Sequence, residues 1–177
     1  MRVAVYCSSS ANIDKRYIDL AFDLGTALAL NGIDLVWGGG QVSMMGAVAK
    51  AVRQAGRKTF GVIPEHLTNL ELSDPEADEI FIVDTMRNRK QKMDDLSDAF
   101  IILPGGIGTL EEFFEIWTAK YLGFHNKPVV VCDPDGVFSQ LRTGLDYLVD
   151  LNFMNLKQES LVHWVTDIPS ALKVIGI

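Results

Sequence analysis

Residues 99–120 read AFIILPGGIGTLEEFFEIWTAK, and this stretch decides the fold. Five apolar residues, Ala99 to Leu103, run into Pro104 and the glycines Gly105, Gly106 and Gly108. From Thr109 onward Phe113, Ile116 and Trp117 recur at helical spacing. Strand, Gly-rich turn and amphipathic helix in that order make half of a βαβ unit. An unbroken apolar strand signals burial on both faces, as in a parallel sheet covered by helices.

The same alternation extends outward. Apolar or β-rich runs occupy residues 3–7, 34–37, 59–63, 80–83 and 128–132, and helical patterns occupy 14–30, 43–55, 89–97, 138–148 and 168–174. The expected fold is one α/β domain over residues 1–177, a Rossmann-like doubly wound parallel sheet flanked by helices. With 48% hydrophobic residues the chain can bury a substantial core. The polar, acidic residues 64–79 contain Pro75 and read as an irregular, functional loop.

Composition narrows the function. A net charge of −7 argues against a dedicated nucleic-acid binder, though not against one small phosphorylated ligand held by backbone N–H groups. No apolar run reaches the roughly 20 residues that span a bilayer, and residues 3–7 are too short for a signal peptide core. Cys7 and Cys132 lack metal or disulfide-framework spacing. The expectation is a cytoplasmic protein without metal or cofactor.

Chemistry gathers at the strand ends. Gly38-Gly39-Gly40 follows one strand and opens a helix, a turn that either packs tightly or receives an anion. Pro104 to Thr109 repeats the arrangement, and ligands of doubly wound sheets bind at that edge. Neither turn has the Lys-Ser/Thr ending of a P-loop or the full dinucleotide frame. Arg87, Arg89, Lys90 and Lys92 cluster at a third strand end, as a ligand site or a solvated basic face. Thr109 and Glu112 have capping-box spacing, and from spacing alone the cap is the stronger reading. Two carboxylates, Glu111 and Glu112, beside an anion site would repel a phosphate unless one has work there. His66, Met86, Phe113, Phe114 and Trp117 are candidates to face a base, although aromatics at helical spacing are more often core.

The paired motifs Met86-x-x-Arg89-Lys90 and Pro104-Gly-Gly-x-Gly-Thr-x-x-Glu112 resemble those of the LOG ("Lonely Guy") family, over most of the chain. The resemblance implies hydrolysis of the N-glycosidic bond of cytokinin riboside or purine nucleoside 5′-monophosphates, including AMP. The products would be free base and ribose 5-phosphate. It implies Arg89 and Glu112 as the catalytic pair. It implies nucleotide contacts from Glu71, Lys90, Gly105, Gly106, Ile107, Gly108, Thr109, Leu110, Glu111 and Thr118. It also implies a homodimer with sites near the subunit interface. Three positions depart from the pattern: Ser43-Met44 stands where the family has Gly-Leu, and Ser8 where Gly is common. The alternative from the same fold is a molybdenum cofactor carrier that binds a phosphorylated pterin without chemistry.

Overall fold

The computed structural model describes residues 1–68, 73–155 and 160–177. Seven strands form one sheet: β1 (Arg2–Tyr6), β2 (Asp34–Trp37), β3 (Thr59–Pro64), β4 (Glu79–Val83), β5 (Ala99–Ile102), β6 (Val129–Cys132) and β7 (His163–Val165). Their order is β4-β3-β2-β1-β5-β6-β7, and every neighbouring pair is parallel. Six α-helices are described: α1 (Lys15–Leu30), α2 (Ser43–Gln54), α3 (Met86–Leu96), α4 (Ile107–Tyr121), α5 (Ser139–Asp150) and α6 (Ile168–Val174). The doubly wound sheet expected from the sequence is the fold observed.

The central strands are apolar throughout because each face has its own core. In β1 and the residue after it, Val3, Val5 and Cys7 face the cluster built with α1 and α2, while Ala4 and Tyr6 face the cluster of α3 and α4. β5 does the same, with Ile101 on the first side and Phe100 and Ile102 on the second. Phe113 and Trp117 stack at 5.2 Å within the second core, and Phe113 meets Trp164 edge-on at 5.9 Å. These two aromatics are therefore core and not base-facing, as helical spacing favours.

Four local readings change. α3 begins at Met86 and not at Arg89, because the Thr85 side chain accepts from the Asn88 N–H at 3.1 Å and caps the helix. α4 begins at Ile107, with Gly106 as its cap and no side-chain capping bond. Thr109 is thus inside the first turn, and the capping-box reading of Thr109 and Glu112 is wrong. β7, only three residues long, is too short to show in the hydrophobic pattern. In the stretch read as a loop, β3 extends through Pro64, a 3-10 turn covers Glu65–Leu67, and Ser73 bridges Gly40.

Going out from β1, the chain steps through β2 and β3 to the β4 edge, then α3 returns it to β5 on the other side of β1. The reversal leaves a crevice where the carboxyl ends of β1 and β5 diverge, the place where such sheets bind ligands.

The turn into α2 is packed to its limit. A β-carbon on Gly46 would lie 2.0 Å from the Gln41 carbonyl oxygen, which is rigid backbone. Gly46→Ala is expected to destabilise the protein by about 3 kcal/mol, lowering Tm by about 6–12 °C in a thermal melt. A shift under about 2 °C would mean that the turn relaxes freely.

Candidate functional site

A cavity of about 380 Å³ occupies this crevice. Four pieces of chain enclose it. Cys7 to Ser10 follow β1, Gly106 to Thr109 open α4, Met86 and Arg89 come from the first turn of α3, and Met45 comes from α2. Leu67, Glu111 and Glu112 complete the lining.

Each piece is placed by a local cause. The α4 turn is tight because Gly105 lies against Thr109, where a β-carbon would meet Oγ1 at 2.1 Å. Thr109 is only 4% exposed. With Gly106 as cap, the first intrahelical bond runs from the Leu110 N–H to the Gly106 carbonyl at 3.0 Å. The N–H groups of Ile107, Gly108 and Thr109 precede that bond and so have no partner within the helix. They and the helix dipole favour an anion at this end.

Arg89 is 6% exposed, and its guanidinium is held by main chain. Nε donates to the Val62 carbonyl and Nη2 to the Gly38 carbonyl, each at 3.1 Å. Nη1 lies 3.7 Å from Met86 Sδ, one helical turn away. The first Gly-rich turn thus serves Arg89: a β-carbon on Gly38 would fall 1.9 Å from Nη2. Trp37 locks the turn from behind, its indole N–H donating to the Gly40 carbonyl at 3.0 Å.

The two neighbouring carboxylates differ. Glu111 is exposed and pairs with Lys90, whose Nζ also reaches Glu115 at 2.6 Å. Burial lowers the Lys90 pKa, but the hydrogen bonds and charges of Glu111 and Glu115 outweigh it and hold the ammonium above its ordinary range. Lys90 is therefore a clasp between α3 and α4. Glu112 is half-buried in the cavity wall, and its charge is felt by the buried Tyr6 and Cys7.

The cysteines are poor nucleophiles. Burial first, and the Glu112 charge second, raise the Cys7 thiol far above its usual range. Burial, then Asp167 and Asp133, push Cys132 up to about 12. Both are expected to resist iodoacetamide in the native protein at pH 7.5 while labelling fully after denaturation, as read by mass spectrometry. Rapid native labelling of Cys7 would show that it carries a thiolate.

Of the residues singled out in the sequence, Arg89, Gly106, Ile107, Gly108, Thr109, Glu111 and Glu112 line this one cavity. Gly105 lies behind it, in a second crevice with Ser8 and Pro104, and Leu110 packs into the α3–α4 core. Lys90 and Thr118 are outside the cavity; Thr118 sits with Phe114, Trp117 and Tyr121 in a cleft further along α4. Glu71 lies outside the described residues. His66 is exposed, and Leu67 is the cavity residue from that turn. Sequence reasoning gave Ser9, Ser10, Met45 and Leu67 no role at the site. Three consecutive serines at a strand end were the available signal for the first two. Among the described residues, no group of three or more His, Cys, Asp or Glu is arranged to hold a metal. Among them too, no helix is long and apolar enough to cross a membrane.

The chain is similar to several known proteins. Residues 45–175 match the family model described as "Possible lysine decarboxylase". A protein of Mycobacterium tuberculosis named cytokinin riboside 5′-monophosphate phosphoribohydrolase is 48% identical over 97% of this chain and 91% of its own. One of the same function name from Arabidopsis thaliana is 42% identical over 91% of this chain and 75% of its own. Among solved structures, the molybdenum cofactor carrier protein of Chlamydomonas reinhardtii shares the fold, with TM-score 0.72 and 21% identity over 97% of this chain and 93% of its own. The molybdenum cofactor binding protein of Rippkaea orientalis does so at TM-score 0.72 and 19% identity, over 98% and 94%.

Proposed function

The chain belongs to the LOG family of cytokinin riboside 5′-monophosphate phosphoribohydrolases, and from that premise we propose that it hydrolyses the N-glycosidic bond of purine-type nucleoside 5′-monophosphates. AMP and N6-prenylated adenosine monophosphates are the substrates, and the products are the free base and ribose 5-phosphate. One observation carries the proposal: a helix start without a side-chain cap, an arginine and a half-buried carboxylate share one cavity at the reversal point of the sheet.

The 5′-phosphate sits at the start of α4, against the N–H groups of Ile107, Gly108 and Thr109, with the Ser8–Ser10 loop opposite. Binding energy from that phosphate orients the sugar, so the reacting carbon stands over Glu112. C1′ acquires oxocarbenium character as its bond to the base nitrogen breaks. Glu112 stabilises that positive charge and takes a proton from the attacking water. The base leaves with the bonding electron pair and takes a proton from solvent, to which Glu112 returns the proton it accepted. Arg89, anchored on two carbonyls, presents a fixed positive charge that orients Glu112 and the departing base. Lys90 and Glu111 hold α3 and α4 together at the site's rim.

The lysine decarboxylase description finds no support in the lining: among the described residues, no lysine faces this cavity. Exposed apolar side chains near the ends of α4 and α5, including Leu122, Phe124, Leu151 and Phe153, support assembly as a homodimer. Thr118, close to that surface, then contributes in a site completed by a second copy.

The test is product analysis by chromatography with AMP and isopentenyladenosine 5′-monophosphate, and their nucleosides as controls. Base released from the monophosphates alone supports the proposal. A folded protein that releases no base from any of them overturns it in favour of a carrier that binds a phosphorylated ligand unchanged.

A further inference from the structure

Ser43 opens α2 with φ +54°, in the left-handed region that a β-carbon disfavours. Glycine would occupy this position without strain. A non-glycine residue kept there calls for something that glycine lacks.

The side chain provides it. Ser43 Oγ donates to the Ser10 carbonyl oxygen at 2.6 Å, joining the first helical residue of α2 to the loop after β1. The tie continues through that loop. The Ser10 N–H donates to Ser8 Oγ at 3.1 Å, and the Ser8 N–H donates to the Pro104 carbonyl at 3.3 Å. One chain of hydrogen bonds therefore runs from the β2–α2 turn, across the triple serine, to the β5–α4 turn. Ser8, Ser9 and Ser10 form one wall of the cavity, whereas Ser43 itself does not line it.

We propose that Ser43 is a positioning residue, whose hydroxyl holds the Ser8–Ser10 loop at the distance from the α4 start that a phosphate monoester requires. The inference rests on the nucleotide monophosphate reading of the cavity. With the phosphate still anchored at the α4 start and the sugar still oriented from there, loosening this opposite wall weakens ground-state and transition-state binding alike, so KM changes and kcat does not.

The experiment compares wild type with Ser43→Gly and Ser43→Ala. Steady-state kinetics use AMP, calorimetry uses inorganic phosphate, and thermal melts follow folding. Ser43→Gly removes both the tie and the strain, so its Tm is expected to stay within about 3 °C of wild type. Ser43→Ala keeps the strain without the tie and is expected to melt lower. Both variants are expected to raise KM for AMP and Kd for phosphate by about three- to tenfold with kcat held within twofold, the worth of one lost hydrogen bond. Unchanged KM and Kd in Ser43→Gly, with wild type active, overturns the positioning role. A fall in kcat at unchanged KM overturns it too. If wild type binds phosphate but releases no base, the hydrolase reading fails alone, and the Kd ratio still decides for or against Ser43. If wild type binds neither, both fail.

Discussion

Glu112→Gln is expected to lower kcat for nucleoside monophosphate hydrolysis by about 10²–10⁴-fold while leaving the nucleotide Kd within about threefold. The two side chains have nearly the same size and both accept hydrogen bonds, so the wall of the cavity keeps its shape. The negative charge is what disappears. In the proposed reaction that charge faces a sugar carbon turning positive and receives the proton of the attacking water, so its loss falls on the transition state and spares the bound ground state. The helix that carries it is secured independently by Phe113, Ile116 and Trp117 in the core, so the melt should scarcely move. Single-turnover release of base, with Kd from calorimetry, separates the two effects. Residual kcat above a tenth of wild type would remove Glu112 from the mechanism. Glu111, already paired with Lys90, would be the next carboxylate to replace.

Arg89→Ala is expected to damage stability and activity together. It removes a guanidinium donor from each of two buried carbonyls, those of Gly38 and Val62, and leaves a void beside Met86. Each buried hydrogen bond lost costs about 1–3 kcal/mol, so the variant should lose about 3 kcal/mol and melt about 6–12 °C lower. Turnover should fall by about 10²-fold or more even at temperatures where the variant is folded, because the fixed cation that shares the cavity with Glu112 is gone. Arg89→Lys tells the roles apart. It keeps a positive charge but cannot bond two carbonyls with a planar fork. If charge alone matters, Arg89→Lys recovers most of kcat; if the fork sets the geometry, it recovers little. A folded Arg89→Ala protein with wild-type kcat/KM would reduce Arg89 to a structural strut.

The two Gly-rich turns looked alike in the sequence and do different work in the fold. Gly105, Gly106 and Gly108 shape the start of α4 at the cavity, as their position after an apolar strand indicates. Gly38 to Gly40 read equally well as an anion loop, yet the Gly38 carbonyl receives Arg89 from 51 residues away. Nothing near Gly38 in the sequence announces that partner. Likewise Thr109 and Glu112 fit a capping box by spacing. Spacing does not say where a helix starts, and α4 begins two residues before Thr109, which places the threonine within the first turn.

Apolar runs without alternation, separated by helical periodicity, were enough to determine a doubly wound parallel sheet, since the central strands of such a sheet, buried on both faces, read that way. The positions of the glycines and charges at strand ends were enough to indicate the edge of the sheet where the cavity lies. Which of those residues meet was decided by tertiary structure alone. The order of strands brings the ends of β1 and β5 together around a cavity, and it sets Ser43 against Ser10 and Arg89 against Gly38. Those contacts join residues tens of positions apart through hydrogen bonds and close packing, and local periodicity carries no record of them.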